Sequence, residues 1–185
     1  MPTAARRPPE VVAVARRAGH HFSKQVVDRI TLLAGLGVEH DGHAGTTVQH
    51  RSRVRRDPTQ PNLRQVHVLH AELLEELTDR GYDVAPGDLG ENITTRGLDI
   101  SALPCGTVLE MGEAAIEITG LRNPCYQIDQ FRRGVLGVVV HRAEDGTVVR
   151  RAGIMAVVTV GGVVAPGDAI RVTLPDGPHR SLEPV

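Results

Sequence analysis

The 185-residue sequence has no tryptophan, and aromatic residues make up only 2 % of it. Val, Leu, Ile and Ala must therefore fill any core. Only two cysteines occur, Cys105 and Cys125, which excludes a disulfide framework. No stretch approaches the ~20 apolar residues that a membrane span requires. The first ten residues hold three prolines and two arginines with no apolar run behind them, which is unlike a signal peptide. A net charge of -1 excludes nucleic-acid binding through bulk positive charge. Together these absences describe a cytoplasmic protein in a reducing compartment, with neither nucleic acid nor membrane as partner.

What is present is a globular composition, 41 % hydrophobic, in a length suited to one domain. The 20 glycines and 12 prolines indicate many turns between short strands. Residues 1–10 read as a flexible leader, 11–174 as a single domain and 175–185 as a polar tail. Strands are expected over residues 11–15, 25–31, 64–68, 148–151, 154–160 and 170–174. Leu73, Leu74 and Leu77 form one apolar face of a helix over residues 70–80, with Gly81 as its C′ residue. Residues 107–111 and 114–119 alternate around Gly112-Glu113 and predict a hairpin. Val-Ala-Pro-Gly-Asp occurs at residues 84–88 and again at 164–168; each fits a type II turn with glycine at positive φ. Residues 127–142 read as one or two short helices broken at Gly134. The fold class is mainly β with a few helices.

The segment from Gly120 to Asp129 carries the most chemistry. It places Cys125 behind Pro124 at the end of a strand, with Arg122 and Asn123 before it and Asp129 after it. Pro124 keeps the approach extended. A thiolate is a nucleophile and a soft metal ligand, and nearby positive charge favours it. The opposing reading is that a lone cysteine is usually inert packing, as Cys105 is expected to be. His40, Asp41 and His43 have two readings also: ligands of a divalent metal together with His67, or a polar loop in which Asp41 bonds to its own turn backbone. Residues 46–62 lack periodicity and carry Arg51, Arg53, Arg55 and Arg56; they read as a solvated loop or as a lid bringing arginines to an anion. Glu91 and Asn92, after Gly90, offer two further hydrogen-bonding heads.

These blocks occur in a telling order: Asp41-Gly42-His43-Ala44-Gly45, Arg64-Gln65-Val66-His67, Gly87-Asp88-Leu89-Gly90-Glu91-Asn92, Leu103-Pro104 with Gly106, Asn123-Pro124-Cys125 and Gly153-Ile154-Met155. The succession resembles a MOSC domain, the C-terminal domain of molybdenum cofactor sulfurases, over residues 11–174. Most specific is Gly-Asp-x-Gly-Glu-Asn followed some thirty residues later by Asn-Pro-Cys. The resemblance implies a mostly antiparallel β-barrel with peripheral helices. Members of the family similar to this sequence include the mitochondrial amidoxime reducing component and bacterial reductases of N-hydroxylated bases. In those a molybdopterin-type molybdenum cofactor sits in the domain and the family cysteine binds the metal.

Carried over, the resemblance makes Cys125 both the catalytic residue and the molybdenum ligand. It makes Arg64, Asn92, Arg122, Asn123 and Arg151 the residues that hold the cofactor's phosphate and pterin. Longer bacterial relatives append a domain with an iron-sulfur cluster on a Cys-x4-Cys-x2-Cys motif. Two cysteines cannot hold one, so the resemblance implies a separate electron-transfer protein and no iron-sulfur cluster. The β-rich N-terminal domain of the mitochondrial relatives is also missing, so the pocket would be open or completed by another subunit; a homodimer is a further expectation. Three functions follow: a molybdenum enzyme reducing small N-hydroxylated compounds, a carrier that passes sulfur or cofactor from a Cys125 persulfide to a client molybdoenzyme, or a non-redox binding module.

Overall fold

Alternation of apolar and polar residues sets the longest strands. In β8 (Ala114–Leu121) Ile116 and Ile118 point into the core while Glu117 and Thr119 point outward. The computed structural model describes residues 8–185. Most of the leader expected over residues 1–10 thus lies outside the described residues; Glu10 already stands in a strand. The described chain runs β1 (Glu10–Arg16), β2 (Gln25–Val27), β3 (Ile30–Leu33), β4 (Gly37–Val38), α1 (Arg51–Arg56), β5 (Val66–His70), α2 (Ala71–Asp79), β6 (Ile93–Arg96), β7 (Val108–Met111), β8, α3 (Gln127–Phe131), α4 (Val135–Val139), β9 (Val140–Arg142), β10 (Val148–Arg150), β11 (Ile154–Val160), β12 (Gly162–Val164) and β13 (Ile170–Thr173). A 3₁₀ turn covers Ile100–Ala102. No helix among the described residues is long and apolar enough to cross a membrane.

Eight strands form one sheet in the order β13-β7-β8-β11-β5-β6-β1-β2. Every pair in it is antiparallel except β5 with β6, which are joined through α2. Strands β12-β3-β4 make a second sheet, and β10-β9 a third. The mainly β class with a few helices and mostly antiparallel pairing therefore holds, although the sheet does not close into a barrel. Strands β13 and β1 meet at one isolated bridge, Glu10 with Ala169. Three backbone hydrogen bonds of 2.8–2.9 Å link residues 9–11 to residues 167–170 there. The edges touch only there, at the start of β1, because β2 covers that edge of β1 from Val14 onward and leaves Glu10–Ala13 open to residues 167–170.

Two apolar cores result. One joins Val11, Ile30, Val68, Ile116, Ile118, Ile154 and neighbouring residues of the large sheet and β3. The other gathers Leu73, Leu74 and Leu77 of α2 with Leu69, Leu89, Ile128, Val135, Val139 and Ala152. Strand β5 lies between them, with Val66 and Val68 toward the first and Leu69 toward the second. Helix α2 ends where expected. Gly81 takes φ +83°, its N–H donates to the Thr78 carbonyl, and Tyr82 donates to Leu77, both at 2.9 Å. The two Pro-Gly turns form as read, with Gly87 at φ +87° and Gly167 at +92°. In each, the following aspartate also accepts the N–H of the turn's alanine, Ala85 or Ala165. The stretch expected as one strand over residues 25–31 is split into β2 and β3, which belong to different sheets. Within residues 46–62 the chain forms α1, a six-residue helix too short to show a periodic pattern, and a bridge between Thr47 and Pro61. The tail is drawn onto the fold. Leu121 donates to Glu183 and accepts from Val185, so residues 183–185 run beside the end of β8.

A candidate thiol site ringed by arginines

Strand β8 delivers the chain to a five-residue connection, Arg122–Tyr126, before α3 begins. The tail fixes this exit. Gly120 has no side chain, and the Glu183 carbonyl occupies the space a Cβ would need. On the other side Arg122 N–H donates to the Gly153 carbonyl at 3.0 Å. Gly153 adopts φ +92° and lies against His67 and the Val68 backbone, where no side chain fits. The connection is thus clamped between the tail and the start of β11. Cys125 is half-buried, and its Sγ lies 3.4 Å from Gln127 Oε1. Asn123 is exposed, and so is Tyr126, at 68 %.

Two guanidinium groups lie within electrostatic range of the thiol. Arg122 is only 8 % exposed; it lies 5.8 Å from the Phe22 ring centre, and its Nη1 is buried with no partner. Burial pulls the Arg122 pKa down, while Coulombic interaction with Cys125, then Glu91, opposes that. Arg64 is pushed down to about 10 by burial, then by the charges of Arg53 and Arg122, against the opposing charge of Cys125. Arg53 comes from α1, and its charge reaches Arg64. An incompletely satisfied cation cluster beside a reachable sulfur attracts an anion.

Behind the arginines is a buried polar layer. Glu91 is fully buried; its Oε1 accepts the Gly87 N–H at 2.7 Å, and its Oε2 has no partner. Burial raises the Glu91 pKa against the opposing Gly87 bond. Asn92 is 1 % exposed and wholly engaged in the fold. Its Nδ2 donates to Ala15 O and Asp41 Oδ2, and its Oδ1 accepts from His67 N. Asp41 Oδ2 also takes Lys24 Nζ at 2.9 Å, and Oδ1 takes the His43 backbone N–H at 3.0 Å and its ring Nδ1 at 3.2 Å. Burial works to raise the Asp41 pKa, but the bonds from His43 and Lys24 outweigh it and keep the carboxylate well below its usual range. His67 Nε2 lies 2.8 Å from the Ala152 carbonyl, and burial, helped by the Arg122 charge, lowers the ring's pKa far below its usual value.

Of the residues singled out in the sequence, Arg122 and Arg64 lie within electrostatic range of Cys125, and Asn123, next to Arg122 in the chain, is exposed. Asn92 lies beneath the site as scaffold. Arg151 is turned to α2, where both guanidinium arms meet the Glu76 carboxylate. The metal set His40, Asp41, His43 and His67 does not assemble. His40 is exposed at φ +61°, His67 is committed to Ala152, and among the described residues no group of three His, Cys, Asp or Glu side chains could hold a metal ion. Asp41 does bond its own turn at His43, as the loop reading expected. Sequence reasoning missed Lys24 and the layer it anchors, although Lys24 is the chain's single lysine. Cys105 lies away from this group, its Sγ 3.4 Å from the Thr119 carbonyl. Two cavities of about 280 and 270 Å³ lie elsewhere, one beside Pro104 and Pro178, the other between Glu110 and Arg171.

The MOSC domain model matches residues 39–171, which is most of the chain and includes Arg64, Arg122 and Cys125. No curated protein sequence matches. Among solved structures, the YuaD protein from Bacillus subtilis is similar at TM-score 0.67 and 24 % identity, over 89 % of this chain and 95 % of that one. YiiM from Geobacillus stearothermophilus is similar at TM-score 0.63 and 15 % identity, over 94 % and 80 %. YiiM from Escherichia coli gives 0.60 and 20 %, over 92 % and 73 %. At these identities the structures attest the fold. Taken with the model match and the clamped Asn-Pro-Cys connection, they lead to one assignment: the chain belongs to the MOSC domain family.

Proposed function

We propose that this chain binds a molybdopterin-type molybdenum cofactor and reduces N-hydroxylated compounds with electrons from a separate electron-transfer protein, Cys125 being the metal ligand. The observation that carries the reading is the buried, unpartnered Nη1 of Arg122 beside the half-buried Cys125 thiol. A buried guanidinium N–H without an acceptor is costly, and an anionic ligand group would relieve it. The donor set fits the group: a thiolate suits a soft metal, and guanidinium groups suit a phosphate. Arg122 and Arg64 would hold the phosphate, and the exposed Asn123 amide would meet the pterin edge. Asn92 supports the site from below by fixing the backbones of Ala15 and His67, and Arg151 acts through Glu76 on α2. When bound, the cofactor supplies the two-electron centre that takes oxygen from an N–O bond.

Exposure of Tyr126 next to a half-buried thiol favours a second reading, in which Cys125 carries a persulfide or the cofactor to a client enzyme. One experiment separates them. The protein is expressed in a host that makes molybdopterin, and molybdenum, pterin and sulfane sulfur are measured in wild type and Cys125→Ser. The first reading predicts molybdenum and pterin near one per chain, lost in the variant. Transferable sulfane sulfur on Cys125 without molybdenum supports the carrier. A non-redox module predicts no effect of the substitution.

A further inference from the structure

The reduction of an N–O bond consumes protons as well as electrons. In R–NH–OH + 2 e⁻ + 2 H⁺ → R–NH₂ + H₂O, the N–O bond breaks, the oxygen leaves as water and the nitrogen gains a proton. A thiol ligand and guanidinium groups are poor sources of those protons, since arginine does not give up its proton in proteins. One part-exposed histidine is held by a buried carboxylate and tied through Asn62 to the backbone of Arg64. The Asp41 carboxylate, with no side-chain exposure, accepts from His43 at both the backbone N–H and ring Nδ1. An ionised carboxylate only accepts, so Nδ1 carries hydrogen and Nε2 is left as the working nitrogen. The ring keeps 32 % exposure.

The loop is locked on its other side too. Buried Asn62 donates from Nδ2 to the His43 carbonyl at 2.9 Å, and its Oδ1 accepts the Arg64 N–H at 3.1 Å. Asn62 thus ties His43 to Arg64, whose guanidinium is within electrostatic range of Cys125 and Arg122. Asp41 is itself held by Lys24, Asn92 and the Arg17 N–H, which fixes it while His43 works. The groups facing His43 are Asp41 from its own loop, His20 with its ring 6.2 Å away, and His50 ahead of α1. A carboxylate that orients a histidine for proton transfer recurs in acid–base catalysis.

We propose that His43, oriented by Asp41, is the proton donor to the departing oxygen at the Cys125 site; this rests on the reductase reading above. His43 is the catalytic residue and Asp41 a positioning residue. Electrons come from the external electron-transfer protein, replaced in the test by dithionite-reduced methyl viologen, and the probe is benzamidoxime. Loaded His43→Gln and His43→Asn should keep wild-type molybdenum content and a KM within about threefold, while kcat falls by roughly a hundredfold or more. His43→Asn keeps a donor toward Asp41 but has no acid at the Nε2 position. Asp41→Asn should lower kcat, and adding it to His43→Gln should cost no more than about a further twofold, since residues acting as a unit are not additive. Independently of turnover, benzamidoxime should shield the His43 ring of loaded, unreduced wild type from diethyl pyrocarbonate, read by peptide mass. Full molybdenum with kcat within about threefold of wild type in both His43 variants overturns the proposal. So does loss of molybdenum in both variants, or an unshielded ring. A wild type that holds no molybdenum, or holds it and does not reduce the probe, overturns the reductase reading and this proposal with it.

Discussion

His67 should make the protein acid-sensitive in a range where few other buried groups act. The residue is 5 % exposed, and burial keeps its pKa well below the ordinary histidine value. In the unfolded chain a histidine titrates near 6.5. Above that pH both states are neutral and there is no penalty. As pH falls below it, the unfolded chain takes up a proton that the folded chain refuses, so stability drops. Between pH 8 and pH 5 the span below 6.5 is about 1.5 units, which at 1.36 kcal/mol per unit gives about 2 kcal/mol. His50 and His70 are also lowered by burial and add to the wild-type slope. Comparison with His67→Gln therefore isolates the one ring. Urea unfolding at both pH values should show the wild type losing about 2 kcal/mol more than the variant. Equal losses in the two proteins would refute the argument.

Other perturbations probe the layer beneath the thiol. Lys24→Met leaves the buried Asp41 carboxylate without its cation, and breaking such a pair costs about 3–5 kcal/mol in urea unfolding; a loss under about 1 kcal/mol would contradict the pairing. Gly90→Ala forces a side chain onto φ +86°, with its Cβ 2.5 Å from the Phe22 carbonyl. The left-handed conformation alone costs about 1–2 kcal/mol, so thermal unfolding should fall by several degrees at least; an unchanged Tm would mean the turn adapts freely. Arg122→Gln removes one of two cations near Cys125. Alkylation of Cys125 by iodoacetamide at neutral pH should slow about three- to tenfold; an unchanged rate would place the guanidinium's influence elsewhere.

The local signals in the sequence were legible where one element decides the outcome. The Leu73, Leu74, Leu77 face and Gly81 set α2, and alternation around Gly112 set the β7–β8 hairpin that ends at Arg122. Block order pointed to Cys125 through the family. What the sequence hid was pairing across distance. The Lys24, Asp41, Asn92 layer joins residues up to 68 positions apart, from three separate loops, and no spacing announces it. Arg53 approaches the site from a helix shorter than two turns, below the reach of periodicity. Barrel closure depended on pairing between β1 and the segment before β13, at opposite ends of the chain, which is limited to one bridge between Glu10 and Ala169 and which no local pattern announces.

The claim on which the account depends is a bond from the Cys125 sulfur to molybdenum. X-ray absorption at the molybdenum edge, on loaded wild type and on Cys125→Ser reconstituted to measurable occupancy, tests it directly. The account predicts one fewer sulfur neighbour of the metal in the variant. The same sulfur count in both proteins would contradict it.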